Sequence, residues 1–442
     1  MSGEELDTIV APATPVGRSA LAVVRIDGPG ARRILCSLSG AEDWEPRRAA
    51  RVELRRGEEA IDEAIALFFA APASYTGNDL VELSLHGSPV TVRRLVDAVI
   101  EEGARIAEPG EFTERAVLNG KLDLVQAEAI ADLIEARTDL QARLSLSNLR
   151  GGLSERAEAV RARLLDLISR LEAALDFADE GYEFISRKEA LELVEESRGT
   201  ISDLLASARR GMATTEGLTA VLMGRPNAGK STLLNALVGS DRAIVTAVAG
   251  TTRDLLRETI EVGGLPLTIV DTAGLRKATE EVEEIGIRRT REAAAGADLI
   301  LYLIDAEEGR SGEDDRELEA LPGAVVVYTK RDLSSPPPGE LSISGMTGEG
   351  LGELFALLDG WVEENWRVPE GRGVVVNRRQ KANLSGALEA LGRAAETLEN
   401  ESSEEIVLTD LYAAANAIGE LTGAISHEEI VESIFSRFCI GK

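Results

Sequence analysis

The spacing of apolar positions changes along the chain, and the changes mark out its organisation. Residues 1 to about 118 carry short apolar runs between turns. Thr8–Val10, Ala20–Ile26, Ile65–Phe69 and Leu80–Leu85 read as strands, and one helix is predicted between Pro89 and Glu102, where Val92, Leu95, Val96, Val99 and Ile100 recur at helical spacing. From Leu122 to Arg210 there are few glycines and no prolines, and Leu153, Ala157, Val160, Leu164, Leu167, Leu171 and Leu175 step by three and four, which predicts a long amphipathic helix. A second follows the break at Gly181, with Leu191, Val194, Ile201, Leu204 and Leu205 on its apolar side. Helical spacing returns after about Val374 with Leu384, Leu388, Leu391, Ala395 and Leu398, then Leu408, Leu411, Ala415 and Ile418, then Ile430, Ile434 and Phe435. Between the two helical stretches lie strand-like runs: Leu218–Met223, Leu299–Ile304, Ala324–Tyr328, and a hairpin of Arg257–Val262 and Leu265–Val270 around Gly263-Gly264. The expected fold class is therefore α/β plus all-α. An N-terminal α/β domain (1–118) precedes a helical domain in two parts (119–215 and 367–442), and a second α/β domain (216–366) is inserted between those parts.

The insert carries the chemistry. Gly224-Arg225-Pro226-Asn227-Ala228-Gly229-Lys230-Ser231, followed by Thr232, stands between a strand and a helix pattern, the context of a phosphate-binding loop. Its glycines let backbone N–H groups turn toward a phosphate, the helix adds the positive end of its dipole, Lys230 reaches the outer phosphates, and Ser231 is the Mg²⁺ ligand. Downstream, Gly250-Thr251-Thr252-Arg253-Asp254 supplies the Thr252 hydroxyl as a second Mg²⁺ contact. Asp271-Thr272-Ala273-Gly274 ends the second hairpin strand; its carboxylate can hold the Mg²⁺ water shell and the Gly274 N–H can meet a γ-phosphate. Thr329-Lys330-Arg331-Asp332 follows another strand, and Asp332 can accept both N–H groups on the edge of guanine, so GTP is preferred over ATP. In motif order and spacing these segments resemble the translation-factor-related GTPases. They depart from that pattern at Thr329, where the usual residue is Asn, and at Ser344-Gly345-Met346, where Ser-Ala-Lys is usual. Leu275 stands where Ras-like enzymes place a water-orienting glutamine. The acidic run Glu280-Glu281-Val282-Glu283-Glu284 offers carboxylates for that task, or is simply a solvated charge run.

Composition narrows the partners. The formal charge is −29, from 48 Lys and Arg against 77 Asp and Glu, so a nucleic acid must meet a local basic patch against a repulsive mean field. Arg47-Arg48 with Arg51 and Arg378-Arg379 with Lys381 are basic clusters that also fit solvated faces. Cys36 and Cys439 make no disulfide framework, and with His86 and His427 as the histidines no zinc motif forms. The acidic start of the chain and the lack of a long apolar run lead us to expect a cytoplasmic protein without a membrane span. Cys439, fourth from the end, fits prenylation poorly because Gly441 is not aliphatic and Lys442 is not a usual last residue. It is either a reactive thiol, its pKa lowered by Arg437 and Lys442, or a packed cysteine.

Asp7-Thr8-Ile9-Val10-Ala11, Ala13-Thr14-Pro15, Tyr75-Thr76-Gly77, Pro109-Gly110-Glu111-Phe112, Lys121-Leu122-Asp123-Leu124, Gln126-Ala127-Glu128-Ala129, the inserted GTPase and the terminal Cys439-Ile440-Gly441-Lys442 together resemble the MnmE (TrmE) family of tRNA-modifying GTPases over nearly the whole chain. The resemblance implies a homodimer whose N-terminal folate-binding-like domains pair and bind a 5-formyltetrahydrofolate-type one-carbon donor at Arg25, Glu82, Lys121 and Lys442. It implies an FAD-dependent partner, MnmG, forming a heterotetramer that installs an aminomethyl or carboxymethylaminomethyl group on carbon 5 of the wobble uridine of tRNA. It further implies a K⁺-activated GTPase. K⁺ would be held by Asn227 and by the carbonyls of Thr246, Val248 and Thr251 in a nucleotide-binding loop that also contains Ala247, Ala249 and Gly250, with Glu283 orienting water and Cys439 near the one-carbon chemistry. Two other readings stand beside it: a regulatory GTPase binding ribosomal RNA during ribosome assembly, and a folate-dependent transferase whose GTPase is only a structural switch. The first is weakened because the sequence has no recognisable appended RNA-binding module with a GXXG clamp.

Overall fold

The structure is a computed structural model that describes residues 7–177, 184–215, 217–244, 257–271, 294, 296–366, 374, 376–400, 404–425, 434–435, 438 and 441. The chain divides into two compact units. One comprises Met1–Ala131, Leu149–Ser197 and Glu389–Lys442, the other Asp132–Asn148 and Arg198–Leu388.

The N-terminal part of the first unit is a six-stranded sheet, with strands β1 (Ile9–Pro12), β2 (Leu21–Asp27), β3 (Ala50–Arg56), β4 (Glu59–Phe69), β5 (Leu80–His86) and β6 (Arg105–Ile106) in the order β3-β4-β5-β2-β1-β6. Its helices are α1 (Ala31–Ser39), α2 (Pro89–Glu101) and α3 (Glu111–Leu118). Successive strand residues point to opposite faces. Val24, Ile26, Ala66, Phe68, Leu83 and Leu85 share a buried core with Ile34, Leu35 and Leu38 of α1 and Leu95, Ala98 and Val99 of α2. The opposite face presents Val23, Arg25, Leu67, Glu82 and Ser84, all half-buried, and the exposed Ile65. Where the sequence predicts one helix, the structure has three. α1 is nine residues long with Arg32 and Arg33 exposed, and α3 begins at the turn Pro109-Gly110, so neither shows a long stripe. β3 was equally hidden: it is an edge strand whose Arg51, Glu53 and Arg55 face water, leaving no apolar run.

The helices that follow are α4 (Leu124–Glu135), α5 (Asp139–Leu149), α6 (Ser154–Asp176) and α7 (Arg187–Thr215). The second α/β sheet holds β7 (Leu218–Met223), β8 (Arg257–Val262), β9 (Leu265–Asp271), β10 (Leu299–Asp305) and β11 (Val325–Thr329) in the order β11-β10-β7-β9-β8, with α8 (Lys230–Val238), α9 (Gly312–Glu319) and α10 (Leu351–Trp366). α11 (Arg378–Glu399) and α12 (Glu404–Thr422) close the order. In the first unit α6 packs along α12, burying Ala157, Val160, Leu164, Leu167 and Leu171 on one side and Val407, Leu411, Ala415 and Ile418 on the other. The last residue of the expected α6 stripe, Leu175, is 37% exposed.

β7, β9, β10 and β11 run parallel, and β8 returns antiparallel to β9. The parallel strands are apolar on both faces: Ala220, Leu222, Leu267, Ile269, Leu301 and Leu303 pack into one core, Val221, Val270, Tyr302 and Ile304 into another. The β8–β9 turn is the predicted one, with Val262 opposite Leu265 and both Gly263 (φ 57°) and Gly264 (φ 81°) left-handed, the type I′ geometry that favours glycine. Met223, Asp271, Asp305 and Thr329 end the four parallel strands, and ligand sites of open parallel sheets form at that edge.

Candidate functional site

The loop from β7 to α8 leaves the sheet through Gly224, at φ 130°, where a Cβ would stand 2.2 Å from the Leu303 carbonyl oxygen. No other residue fits there. Asn227 (φ 63°) and Gly229 (φ 81°) are also left-handed, which curls the backbone so that Gly229 caps α8 and its first N–H groups point into the loop. Arg225 fastens the loop from outside: its guanidinium donates to the Gly309 carbonyl (2.8 Å) and pairs with Glu308 (3.1 Å) and the buried Asp314 (3.3 Å). Asp314 in turn caps α9 through Ser311 and accepts from the Tyr302 hydroxyl at 3.0 Å. Burial pushes the Tyr302 phenol up, and the adjacent Glu317 and Asp314 carboxylates push it further, so it serves only as a donor here.

Inside the loop, the buried Lys230 ammonium donates to the carbonyls of Gly224 (2.8 Å) and Arg225 (2.7 Å). The Ser231 hydroxyl donates to Asp271 Oδ2 at 2.6 Å. A P-loop hydroxyl and a strand-end carboxylate are thus side by side, two hard oxygen donors of the kind Mg²⁺ takes. The residues fit that ion.

A cavity of about 540 Å³ runs from this loop to the end of β11, lined by Asn227, Gly229, Lys230, Ser231, Thr232, Thr329, Lys330, Asp332, Met346 and neighbours. Thr329 is buried and its hydroxyl donates to the Ala228 carbonyl at 2.9 Å. Lys330 (φ 57°) turns back to pair with Asp305, and that hydrogen bond raises the ammonium's pKa. Burial alone would raise the Asp305 carboxyl, but Lys330 and backbone N–H groups hold it below the usual range. Asp332 is left exposed at the cavity. Ser344 is buried and accepts N–H groups from Met346 (3.3 Å) and Thr347 (3.1 Å), closing the loop that faces it. Gly345 in that loop stands over Thr232; a Cβ there would lie 3.0 Å from the Thr232 methyl and 3.1 Å from its backbone, a tight fit.

In the N-terminal sheet Arg25 and Glu82 lie directly opposite on β2 and β5, and Arg25 Nε donates to Glu82 Oε1 at 2.9 Å. Read singly they look like strand residues facing solvent, yet their side chains are only 18% and 27% exposed. The Arg25 guanidinium also lies 5.6 Å from the centroid of the Tyr75 ring, whose hydroxyl meets Thr113 at 2.8 Å. Lys121 comes to the same turn, with its Cε 3.3 Å from where a Cβ on Gly77 would be. Gly441, at φ 98°, packs so closely on β1 that a Cβ would stand 2.0 Å from the Pro12 carbonyl oxygen, and Pro12 neighbours Val24 of β2. Thus Arg25, Glu82 and Lys121 gather around the Tyr75–Gly77 turn. The expected site residues Thr246, Ala247, Val248, Ala249, Gly250, Thr251, Thr252, Thr272, Ala273, Gly274, Glu283, Cys439 and Lys442 lie outside the described residues.

Sequence reading missed Arg225 as the anchor of the phosphate loop and Arg115 as the centre of a buried charge network. Arg115 pairs with Asp7 (2.6 Å), Asp27 (3.0 Å) and Glu111 (2.8 Å). The one signal was the turn Pro109-Gly110-Glu111-Phe112, which contains one of its partners.

The family model "GTP-binding protein TrmE N-terminus" matches residues 8–121 and "MnmE helical domain" matches residues 124–439. Proteins called tRNA modification GTPase MnmE are similar along their full length: that of Koribacter versatilis is 43% identical, covering 99% of both chains, and that of Aquifex aeolicus is 40% identical, covering 99% of this chain and 100% of its own. Among solved structures, Aquifex aeolicus Era bound to GDP and AlF4⁻ is 24% identical with a TM-score of 0.28, over 39% of this chain and 66% of its own. The G domain of the Thermotoga maritima FeoB iron transporter gives 23% and 0.25, over 33% and 98%. On its two family models and its full-length relatives, the chain belongs to the MnmE (TrmE) family of tRNA modification GTPases.

Proposed function

We propose that this chain hydrolyses GTP, with Mg²⁺ and K⁺, to drive the modification of carbon 5 of the tRNA wobble uridine to an aminomethyl or carboxymethylaminomethyl group. On this reading it works as a cytoplasmic homodimer with the FAD-dependent MnmG and draws its one-carbon unit from a 5-formyltetrahydrofolate-type donor. Its GTPase is the inserted domain 216–366, carried by a helical domain assembled from 119–215 and 367–442 and preceded by the folate-binding domain 1–118. The observation that carries the reading is the phosphate loop with Lys230 inside it and the Ser231 hydroxyl on Asp271. No helix among the described residues is long and apolar enough to cross a membrane.

In the mechanism, the N–H groups at the start of α8 and the Lys230 ammonium bind the phosphates and stabilise charge that grows as the terminal phosphoryl group leaves. Ser231 and Thr252 would hold Mg²⁺, with Asp271 beside Ser231 to orient it; bound there, the ion would supply positive charge to the phosphates. Asn227, with the carbonyls of Thr246, Val248 and Thr251, would hold K⁺, which would supply the positive charge that an arginine finger supplies in other GTPases. Ala228, Gly229 and Thr232, together with 246–252 and Thr272–Gly274, wrap the nucleotide, and Lys330, Asp332 and Ser344 form the base site. Glu283 orients the attacking water, a task Leu275 cannot perform. We expect Glu283→Ala to keep GTP binding and lose most hydrolysis, measured as phosphate release; unchanged turnover would remove Glu283 from the mechanism.

Arg25, Glu82, Lys121 and Lys442 are assigned to the folate-type donor. The support is the half-buried Arg25–Glu82 pair beside Tyr75 and the approach of Gly441 to Pro12. The guanidinium suits a carboxylate or a pterin carbonyl, and the Glu82 carboxylate suits a pterin N–H edge. Cys439 is the candidate reactive thiol for this chemistry. The test of the whole reading is nucleoside mass spectrometry of bulk tRNA from cells with and without this chain. Selective loss of carbon-5 aminomethyl-type uridines supports it; intact uridines with accumulating ribosomal subunits would replace it with a role in ribosome assembly.

A further inference from the structure

We infer that Thr329 ties the base-recognition loop to the phosphate loop at the expense of reading N7 of guanine, so that this GTPase accepts guanine nucleotides lacking N7 as readily as GTP. The inference rests on the guanine-site reading above.

Thr329 ends β11 and is 3% exposed. Its hydroxyl lies 2.9 Å from the Ala228 carbonyl in the phosphate loop and 3.3 Å from the Ile304 carbonyl in β10. Both are acceptors, and a hydroxyl has a single proton to give. That proton is therefore spent on the protein backbone. The contact is also a packing one, since a Cβ on Gly229 would meet the Thr329 side chain at 3.5 to 3.7 Å. Thr329 thus fixes the floor on which the phosphate loop turns into α8.

Guanine offers donors at N1 and N2 and acceptors at O6 and N7. Asp332, exposed at the cavity, is an acceptor and suits only the donor edge. Around it, the cavity-lining Leu333, Ile343 and Met346 are apolar, and the Lys330 ammonium is drawn away to Asp305. Thr329, Leu333, Ile343 and Met346 therefore offer no side-chain proton to N7. An asparagine amide carries two N–H protons, one for the Ala228 carbonyl and one for N7; threonine keeps the first task and drops the second. Base identity is left to Asp332 and to backbone N–H groups, while Thr329 sets the spacing between base and phosphates.

The test is displacement of a fluorescent GDP analogue from the full-length protein by GTP and by 7-deaza-GTP, in the wild type, Thr329→Asn and Thr329→Val. We expect the wild type to bind the two competitors within about twofold of each other. Thr329→Asn should gain roughly 2- to 10-fold for GTP, the worth of one neutral hydrogen bond, and gain nothing for 7-deaza-GTP. Thr329→Val, which keeps the volume and loses the tether, should weaken both nucleotides equally. A wild type that prefers GTP over 7-deaza-GTP by about tenfold overturns the inference, as does a folded Thr329→Asn variant that treats the two alike. Failure of both nucleotides to displace the analogue would instead overturn the guanine-site reading, and the inference with it. The wild-type comparison stands whether or not either variant folds.

Discussion

Arg115 is held among three carboxylates, of which Asp27 is fully buried and Glu111 nearly so. Asp27 also accepts from the Thr76 hydroxyl and from Asn78 (3.0 Å), so the network fixes the turn that sets Tyr75 under Arg25. Burial raises the Asp27 carboxyl despite those donors. For Glu111 burial pulls the same way but is outweighed by Arg105, the Glu108 N–H and Arg115, and its carboxyl is held below the ordinary value of 4.5. A depressed folded pKa means stabilisation that is present above about pH 4.5 and lost as pH falls through the folded value. Asp27 works oppositely, its penalty growing as pH rises. Glu111→Gln should therefore lower the urea midpoint at pH 7 by the equivalent of about 2 kcal/mol, the worth of a charged hydrogen bond, and the gap to wild type should close below pH 4.5. A gap that is constant with pH would show that the Glu111 charge is not what matters. Arg115→Ala removes the countercharge of a buried carboxylate and should cost about 3–5 kcal/mol in the same assay.

At the scale of elements, what the sequence made legible was periodic or fixed in spacing. The stripe of α6, the paired glycines of the β8–β9 turn and the strand–loop–helix frame around Lys230 each repeat a local rule, and each is in the structure. β3, α1 and α3 were not legible because their local patterns are short or charged and are completed only by neighbours distant in sequence. The same holds inside the site. Lys230, Ser231 and Asp271 were readable from motif order, whereas the Arg225–Asp314 pair and the hydrogen bond from Thr329 to Ala228 appear only once β7, β10 and β11 lie side by side. The β8–β9 turn shows both kinds of information. Two glycines announce the turn, but not that Gly263 sits against α10, where its N–H meets Asp359 at 2.8 Å and a Cβ would stand 2.6 Å from Val362 Cγ1. Gly263→Ala should cost about 2–4 kcal/mol in chemical denaturation, from a left-handed alanine and the clash together. In a double-mutant cycle with Val362→Ala the coupling should be favourable, leaving about 1–2 kcal/mol for the backbone alone. Simple additivity would mean that α10 moves aside without cost.

At the scale of the molecule, the proposed dimer must be reconciled with a formal charge of −29, which repels a second copy unless apolar and paired surface outweighs it. The N-terminal sheet offers such a surface. α1 and α2 cover one face; on the other, Ile65, Ser84 and Val23 form one cross-strand row, and Leu67, Glu82 and Arg25 the next. In those rows the charges are internally paired, Arg25 with Glu82, so burying them against a second copy strands neither. Ile65, 46% exposed, is the position at which association and folding can be separated. An aspartate there adds a charge to water in the single chain and should change its unfolding midpoint by no more than about 0.5 kcal/mol. In a dimer it would bury an unpaired carboxylate at the contact and should weaken association by at least about 2 kcal/mol, some 30-fold in the dissociation constant. Sedimentation of the full chain at micromolar concentration is the measurement, with a wild-type dimer and an Ile65→Asp monomer expected. Because Arg25 and Glu82 occupy the adjacent row, the same variant should bind a folate-type ligand more weakly while its GTP affinity is unchanged. An Ile65→Asp protein that sediments as the wild type does would move the dimer contact away from this face.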